Sequence, residues 1–341
     1  MNKRILAICD TEADYAYRMM ELLKARKDLH FDTHVFTDVT NLLSFGQAEE
    51  IECLLITESA YREKIKELNV PHVFILNESG MENDEMTARE ENHFYNINKY
   101  QSANHIVNDM LAYYVDVKAV LPRKILSSTK SMKIIGVFSP VRRCLQTTFS
   151  LTLGQILAKK GKTLYLNYET FSGFGQIVGR NFRADITDMM YLFECVKEKF
   201  IYKLKTITEQ INDLDFIAPT AIFPDLMNIS GKQWTELLKE LRDQSDYEYI
   251  ILDLSEYVNG LLHILGECDW IYTITRGDFY AAAKIGQYEQ LLNDLKLENV
   301  MSKTQKLNLP IFKNIPLKYD EMTYSELASY IRERLLDDLC K

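Results

Sequence analysis

KIIGVFSPVRRCLQTT, residues 133–148, runs from a short apolar segment through a polar loop into the start of a helical pattern. Lys133–Phe138 is predicted as a buried strand and Thr147–Lys160 as a helix with Gly161 as its C-cap. A strand that turns straight into a helix belongs to a parallel α/β sheet, and the helix's first N–H groups have no partner inside the helix. Such a turn is a ready phosphate cradle when glycines let successive N–H groups curl around the anion. Residues 139–148 contain no glycine and carry Arg142 and Arg143 instead. The slot for a cradle is present and its chemistry is damaged.

Upstream, Arg4–Asp10, Asp32–Phe36, Ile51–Thr57, His72–Asn77 and Phe94–Lys99 read as strands, with helices over Ala13–Arg26, Val39–Gln47 and Ser102–Tyr114. That is a doubly wound module over residues 1–115. Residues 116–132, with Pro122 and a Ser-Ser-Thr cluster, read as a linker. Residues 133–341 form a second alternating module. It has further strands at Thr163–Tyr168, Phe216–Ala218, Tyr249–Asp253, Trp270–Ile274 and Pro310–Lys313, and helices near Ser230–Gln244, Ala281–Asp294 and Tyr324–Leu339. The last helix places Leu327, Ile331, Leu335 and Leu336 on one face, a pattern for core packing or dimer contact.

A chain of 341 residues has room for two cores, and 47% apolar with 26% charged residues is an ordinary globular balance. The net charge of −9 argues against generic attraction to nucleic acid or anionic membrane. Six scattered cysteines without a CxxC pair indicate neither a zinc site nor a disulfide framework, so buried reduced thiols in a cytoplasmic protein are expected. The histidines are dispersed, and Tyr113 and Tyr114 are expected to pack rather than read bases. No apolar stretch approaches the roughly 20 residues of a membrane-spanning helix, so direct membrane insertion is not expected.

Residues 1–115 resemble the receiver domain of response regulators. In that family acidic residues after the first strand hold Mg²⁺, an Asp after the third accepts phosphate, and a Lys follows the fifth. Cys9-Asp10 with Glu12, then Asn77, Glu78 and Ser79, and Lys99 occupy matching places. Thr57 stands at the acceptor position. A hydroxyl there is neither anionic nor pre-activated, so the resemblance implies a pseudo-receiver that docks partners, with Asp10, Thr57 and Lys99 as its relic site and Lys99 as a surface or interaction residue.

Residues 133–338 resemble a partition-type ATPase of the MinD/ParA superfamily. Against the family loop KGGxGKT, Val141 replaces the first lysine, Arg142, Arg143 and Leu145 replace glycines, and Gln146 replaces the phosphate lysine. Thr147 and Thr148 stay in register. In TLYLNYETFSGF, Asn167 and Glu169 stand where the family has two aspartates, and EYIILDLSE resembles the Walker B strand ending at Asp253. The two halves together resemble the TadZ/CpaE group of pilus-assembly localisation proteins. That resemblance implies homodimerisation through the ATPase-like half, association with tight-adherence (type IVc) pilus or secretion proteins, and recruitment to a cell pole.

The residues left for a nucleotide site are Arg142, Arg143, Gln146, Thr147, Thr148 and Asp253, with Thr147 and Asp253 for Mg²⁺. Bulky side chains at 142, 143 and 145 are expected to strain or fill the nest, at ~1–2 kcal/mol for each left-handed non-glycine residue. The arginines either supply the lost positive charge or pair with acidic groups as solvated loop residues. Binding of ATP and Mg²⁺ is therefore expected to be weak, and hydrolysis to suffer more than binding, because positioning the attacking water tolerates less loss. The function expected is a scaffold, and the competing expectation is an ATP-controlled dimerising switch.

Overall fold

Continuous apolar runs form the strands here because helices cover both faces of each sheet, leaving no solvent side to impose alternation. The computed structural model describes residues 4–25, 31–78, 93–101, 103, 106–107, 109–110, 113–114, 132–179, 181–316 and 318–339. The chain divides into two compact units, Met1–Arg123 and Lys124–Lys341. The expected linker lies, apart from Met132, outside the described residues, as do Ser79 and parts of the expected Ser102–Tyr114 helix.

In the first unit the strands are β1 (Arg4–Cys9), β2 (Phe31–Phe36), β3 (Ile51–Thr57), β4 (His72–Asn77) and β5 (His93–Asn98). They form a parallel sheet in the order β2-β1-β3-β4-β5, the flavodoxin-like arrangement. Leu6 and Ile8 of β1 pack on Ala16, Met19 and Leu23 of the Ala13–Ala25 helix. Ile5, Ala7 and Cys9 face the opposite layer with Leu42 and Ile65.

The second unit contains β6 (Lys133–Val137), β7 (Thr163–Asn167), β8 (Glu209–Ile211), β9 (Leu214–Ile217), β10 (Tyr249–Asp253), β11 (Trp270–Thr275) and β12 (Thr304–Asn308). Its seven-stranded sheet runs β12-β11-β6-β10-β7-β9-β8, parallel except for the β8–β9 hairpin. The order reverses around β6, with β11 on one side and β10 on the other. The crevice of an open α/β sheet lies at the carboxyl ends of strands around such a reversal. Ile134, Leu164 and Leu252 face one helical layer, while Ile135, Tyr165 and Ile251 lie in the core shared with the Gln146–Ala158 helix.

Both α/β sheets expected from the sequence are present. The last strand is displaced, however: β12 covers Thr304–Asn308, and the expected Pro310–Lys313 segment is not a strand. TQKLN buries only Leu307 as an edge strand, so it lacks an apolar run, whereas Pro310 has no N–H to give a ladder. The expected terminal helix is two pieces, Glu326–Arg334 capped by Ser325 and Leu336–Leu339, and its four named apolar residues are buried in the core of this unit. Helices Ile186–Cys195 and Phe200–Ile207 fill the stretch before β8, where no element was expected. Cys9, Cys53, Cys144 and Cys268 are buried free thiols; Cys195, against expectation, is exposed.

Gly260 fixes how the Leu261–Glu267 helix meets the Gly231–Gln244 helix. Its φ is +78°, and a Cβ there would lie 2.2 Å from the Gly231 Cα. Gly260→Ala is expected to destabilise the chain by ~2 kcal/mol or more. Gly266→Ala, in the Leu261–Glu267 helix, where an added Cβ would meet only the Asn299 side chain at an ordinary 3.7 Å, should instead stabilise by ~0.5 kcal/mol. Urea denaturation of both variants checks the contrast, and equal effects would refute it.

Candidate functional site

Asp253 ends β10, in register with Val137 of β6 and Asn167 of β7. Two neighbouring strand ends therefore deliver their polar residues to one point beneath the Gln146–Ala158 helix. The Asp253 side chain is fully buried. Gln146, the first residue of that helix, donates from Nε2 to Asp253 Oδ1 at 2.7 Å and to the Leu254 carbonyl at 2.8 Å. The Tyr165 hydroxyl donates to Asp253 Oδ2 at 2.9 Å, and Asn167 Nδ2 donates to Tyr165 Oη at 2.9 Å. Neutral donors thus hold both carboxylate oxygens. Burial pushes the Asp253 carboxyl above its ordinary range, against the hydrogen bonds from Gln146, Tyr165, Thr147 and Ser150.

The loop above keeps a cradle-like backbone without glycine. Arg143 and Leu145 sit in the left-handed region at φ 56° and 66°, at ~1–2 kcal/mol each. Side chains offset that strain: Ser139 Oγ accepts from the Val141 N–H at 3.0 Å and donates to the Ile274 carbonyl, and Arg276 donates to the Arg143 carbonyl at 3.3 Å. Val141 is buried against Ala281 and Ile285 of the Phe279–Asp294 helix. Arg142 points outward, paired with Glu256 and 5.2 Å from the Tyr257 ring. Arg143 is exposed too.

Thr147 and Thr148 are half-buried in the helix's first turn, where the Thr148 carbonyl accepts the Thr152 hydroxyl at 2.6 Å. The Thr147 hydroxyl acts on both Asp253 and Glu169. Burial, followed by the charge of Asp253, pushes the Glu169 carboxyl up to about 7 from its ordinary 4.5, against the Thr147 hydroxyl. A triphosphate with its metal would require an ammonium at 141 or 146 and a free Asp253 oxygen. The residues present do not fit that demand, because the Gln146 amide already closes the aspartate and Val141 is apolar. Asn167, neutral and engaged, offers no base for water.

In the first unit, Asp10 and Lys99 follow the ends of β1 and β5, and Thr57 ends β3, all at the carboxyl edge of the sheet. Lys99 Nζ lies 3.3 Å from Asp10 Oδ2, 3.6 Å from Glu12 Oε1 and 3.0 Å from Glu78 Oε1. Thr57 joins through Ser59, whose Oγ lies 3.4 Å from both Thr57 Oγ1 and Glu78 Oε1. The expectation that Lys99 is a surface residue is corrected: it is 7% exposed, because three carboxylates compensate its desolvation. Burial works against the Lys99 charge, but the Glu78 hydrogen bond and Asp10 outweigh it and hold the ammonium above its ordinary range. Among the described residues, no group of three or more His, Cys, Asp or Glu could hold a metal ion, and no helix is long and apolar enough to cross a membrane.

Tyr165 and Arg276 were missed in the sequence. Tyr165 resembles an ordinary core residue in TLYLN, although alternation puts it on the same face as Asn167. Arg276 is the first residue after β11, in TITRGD, and only that placement could have signalled it.

No protein-family model matches the chain, and no curated protein matches it. Solved structures similar to it include a ParA family ATPase from Chlorobium tepidum TLS, at 18% identity over 56% of this chain and 80% of that one, TM-score 0.45. A putative plasmid partition protein from Borrelia burgdorferi B31 bound to AMPPNP matches at 18% identity over 57% and 82%, TM-score 0.39. The MinC:MinD cell division protein complex of Aquifex aeolicus matches at 16% over 51% and 67%, TM-score 0.39.

Folded Glu169 keeps a proton between pH 4.5 and about 7 that the unfolded chain has released. Its contribution to stability is therefore present below that window and lost as pH rises through it. Glu169→Gln should be more stable than wild type at pH 8, by ~1–2 kcal/mol after allowing for solvent screening, and equal near pH 4; parallel stability curves would refute this. Lys99→Met leaves Asp10 buried and uncompensated and should cost the first unit ~3–5 kcal/mol. Adding Asp10→Asn should recover most of the loss in urea denaturation, and a cost under ~1 kcal/mol would mark the cluster as solvated.

Proposed function

We propose that this chain is a non-hydrolysing scaffold in which a pseudo-receiver, residues 1–115, docks partners and a partition-ATPase-like half, residues 133–341, forms a homodimer. Its setting in this proposal is the bacterial cytoplasm, at a pole or membrane-associated site where a Tad-type (type IVc) pilus or secretion machine is assembled. One observation carries the reading: the Gln146 amide is hydrogen-bonded to Asp253 and Leu254, so the site's own side chain takes the place of an ammonium and a metal. Lys99 supports the docking role, since its engagement by Asp10, Glu12 and Glu78 completes the relic site without an acceptor carboxylate at Thr57. The pilus setting rests on the order of the two halves alone.

The second reading, an ATP-controlled dimerising switch, is favoured by the left-handed backbone kept at Arg143 and Leu145 and by Thr147 in the first turn of its helix. Under it Thr147 and Asp253 would hold Mg²⁺, with Gln146 swinging aside.

Calorimetric titration of the whole chain with ATP·Mg²⁺, with sedimentation run in parallel, separates the two. The scaffold predicts no binding below about millimolar ATP and a mass unchanged by nucleotide. Gln146→Lys combined with glycine at 142, 143 and 145 should then gain affinity by at least ~10-fold, from a restored charged contact and relieved strain. Micromolar binding by the wild type that converts monomer to dimer would replace the scaffold reading with the switch.

A further inference from the structure

Asn259 is followed by Gly260, and no other asparagine in the sequence precedes a glycine. The pair ends the loop that follows β10 and lies between two anchors. On one side Val258 is 3% exposed and its N–H donates to the Ser255 carbonyl at 3.3 Å, while Ser255 Oγ donates to the Tyr168 carbonyl at 2.8 Å. On the other, Gly260 packs on Gly231, and its carbonyl accepts the His263 and Ile264 N–H groups at 2.9 and 3.0 Å. Asn259 itself is exposed. Among the described residues its side chain makes no hydrogen bond, and neither does the Gly260 N–H.

An asparagine Cγ is an electrophilic carbon tethered to the nitrogen of the next residue, and attack by that nitrogen closes a five-membered ring. The reaction needs a nitrogen that can lose its proton, an uncrowded approach and a side-chain amide free to turn. Position 259 meets all three: the Gly260 N–H has no carbonyl to leave, Gly260 has no Cβ, and the Asn259 amide is not held in a cap. Other asparagines of the same unit do not. The amides of Asn167, Asn212 and Asn293 donate to Tyr165, Gln155 and the Glu289 carbonyl, and each is followed by a residue with a side chain.

We propose that Asn259 is a site of spontaneous covalent modification, in which the Gly260 nitrogen closes a succinimide that water opens to aspartate or isoaspartate. Hydroxide removes the Gly260 N–H proton, the nitrogen bonds to Asn259 Cγ, and the Cγ–Nδ2 bond breaks, Nδ2 leaving as ammonia with a proton from water. Water then adds to one ring carbonyl. Breaking the ring bond at Cγ gives aspartate, and breaking the one at the main-chain carbonyl gives isoaspartate; one water is consumed and one ammonia released overall. Either product adds a carboxylate to the loop that carries Glu256. Isoaspartate also lengthens the main chain by one carbon between the two anchors. Gly260 has no slack for it, since an added Cβ there would already lie 2.2 Å from the Gly231 Cα, so isoaspartate loosens this contact. The modification depends neither on nucleotide binding nor on the scaffold reading.

Ageing the whole chain in mildly alkaline buffer, with and without urea, followed by peptide mapping, tests the proposal. In the folded chain, position 259 should exchange NH₂ for OH at least ~10-fold faster than the other asparagines of the second unit, a barrier lower by ~1.4 kcal/mol. Isoaspartate and aspartate should both appear, and ageing in water enriched in heavy oxygen should place one heavy atom in each. Asn259→Gln, whose attack would close a six-membered ring, should stay unmodified there. Asn259→Asp, with its main chain unlengthened, should keep the wild-type urea midpoint, and the aged wild type should fall below it. Modification only in the urea-unfolded chain, aspartate without isoaspartate, or a rate no greater than at the other asparagines would each overturn the assignment. An isoaspartate-bearing chain as stable as Asn259→Asp would overturn the loosening of the Gly231 contact.

Discussion

The Asp253 carboxylate is the constraint around which the second unit is organised. A fully buried carboxylate must have its oxygens bonded or stay protonated, and here the donors come from two elements: Gln146 from the helix above, and Tyr165 and Asn167 from the neighbouring strand. These bonds tie the ends of β7 and β10 to the start of the Gln146–Ala158 helix, and through that helix they fix where the loop from β6 must end. Removing a donor would weaken the pairing of a desolvated oxygen and leave its fellow donors misplaced, so the network behaves as a unit. A nucleotide site needs the same aspartate open. Closing it from within gives a rigid core at the cost of an available metal ligand.

The first unit meets the same requirement with a charge. Lys99 stands among Asp10, Glu12 and Glu78, and Asp10 is as buried as Asp253. An ammonium suits this site because its carboxylates arrive from the ends of different strands, and one compact cation with three donors reaches all of them. In both units the polar groups sit at the carboxyl ends of parallel strands, where the fold gathers them for chemistry. In both they are engaged by the chain itself, a common internal closure that supports the proposed scaffold.

How legible the chain is depends on whether a feature is carried by residue type or by side-chain direction. Strands β3, β4 and β10 are plain in the sequence because uninterrupted apolar runs bounded by polar residues have few other uses. Strand β12 is not, since an edge strand of Thr, Gln, Lys and Asn around Leu307 has the composition of a loop. The convergence of Asp253 with Gln146 and Thr147 follows from strand order and could be anticipated. That Gln146 would turn inward and Val141 would bury itself could not, because a substitution table records a lost lysine without saying where its replacement points. Lys99 shows the same limit in reverse: a lone lysine after a strand reads as solvated until the three acids around it are placed.

The strain in the loop then carries weight. Arg143 and Leu145 gain nothing by sitting in the left-handed region, and such geometry persists only where the surroundings over-determine it. Here the conformation is retained by internal supports: Ser139 bracing Val141 and Ile274, Arg276 holding the Arg143 carbonyl, and Gln146 anchored on Asp253. Each support comes from a different element, so the loop is over-determined in the way strained segments must be to persist. What it presents outward is Arg142 against Glu256 and Tyr257, beside exposed Arg143. The loop's cradle-like curvature is thus held by side chains from several elements.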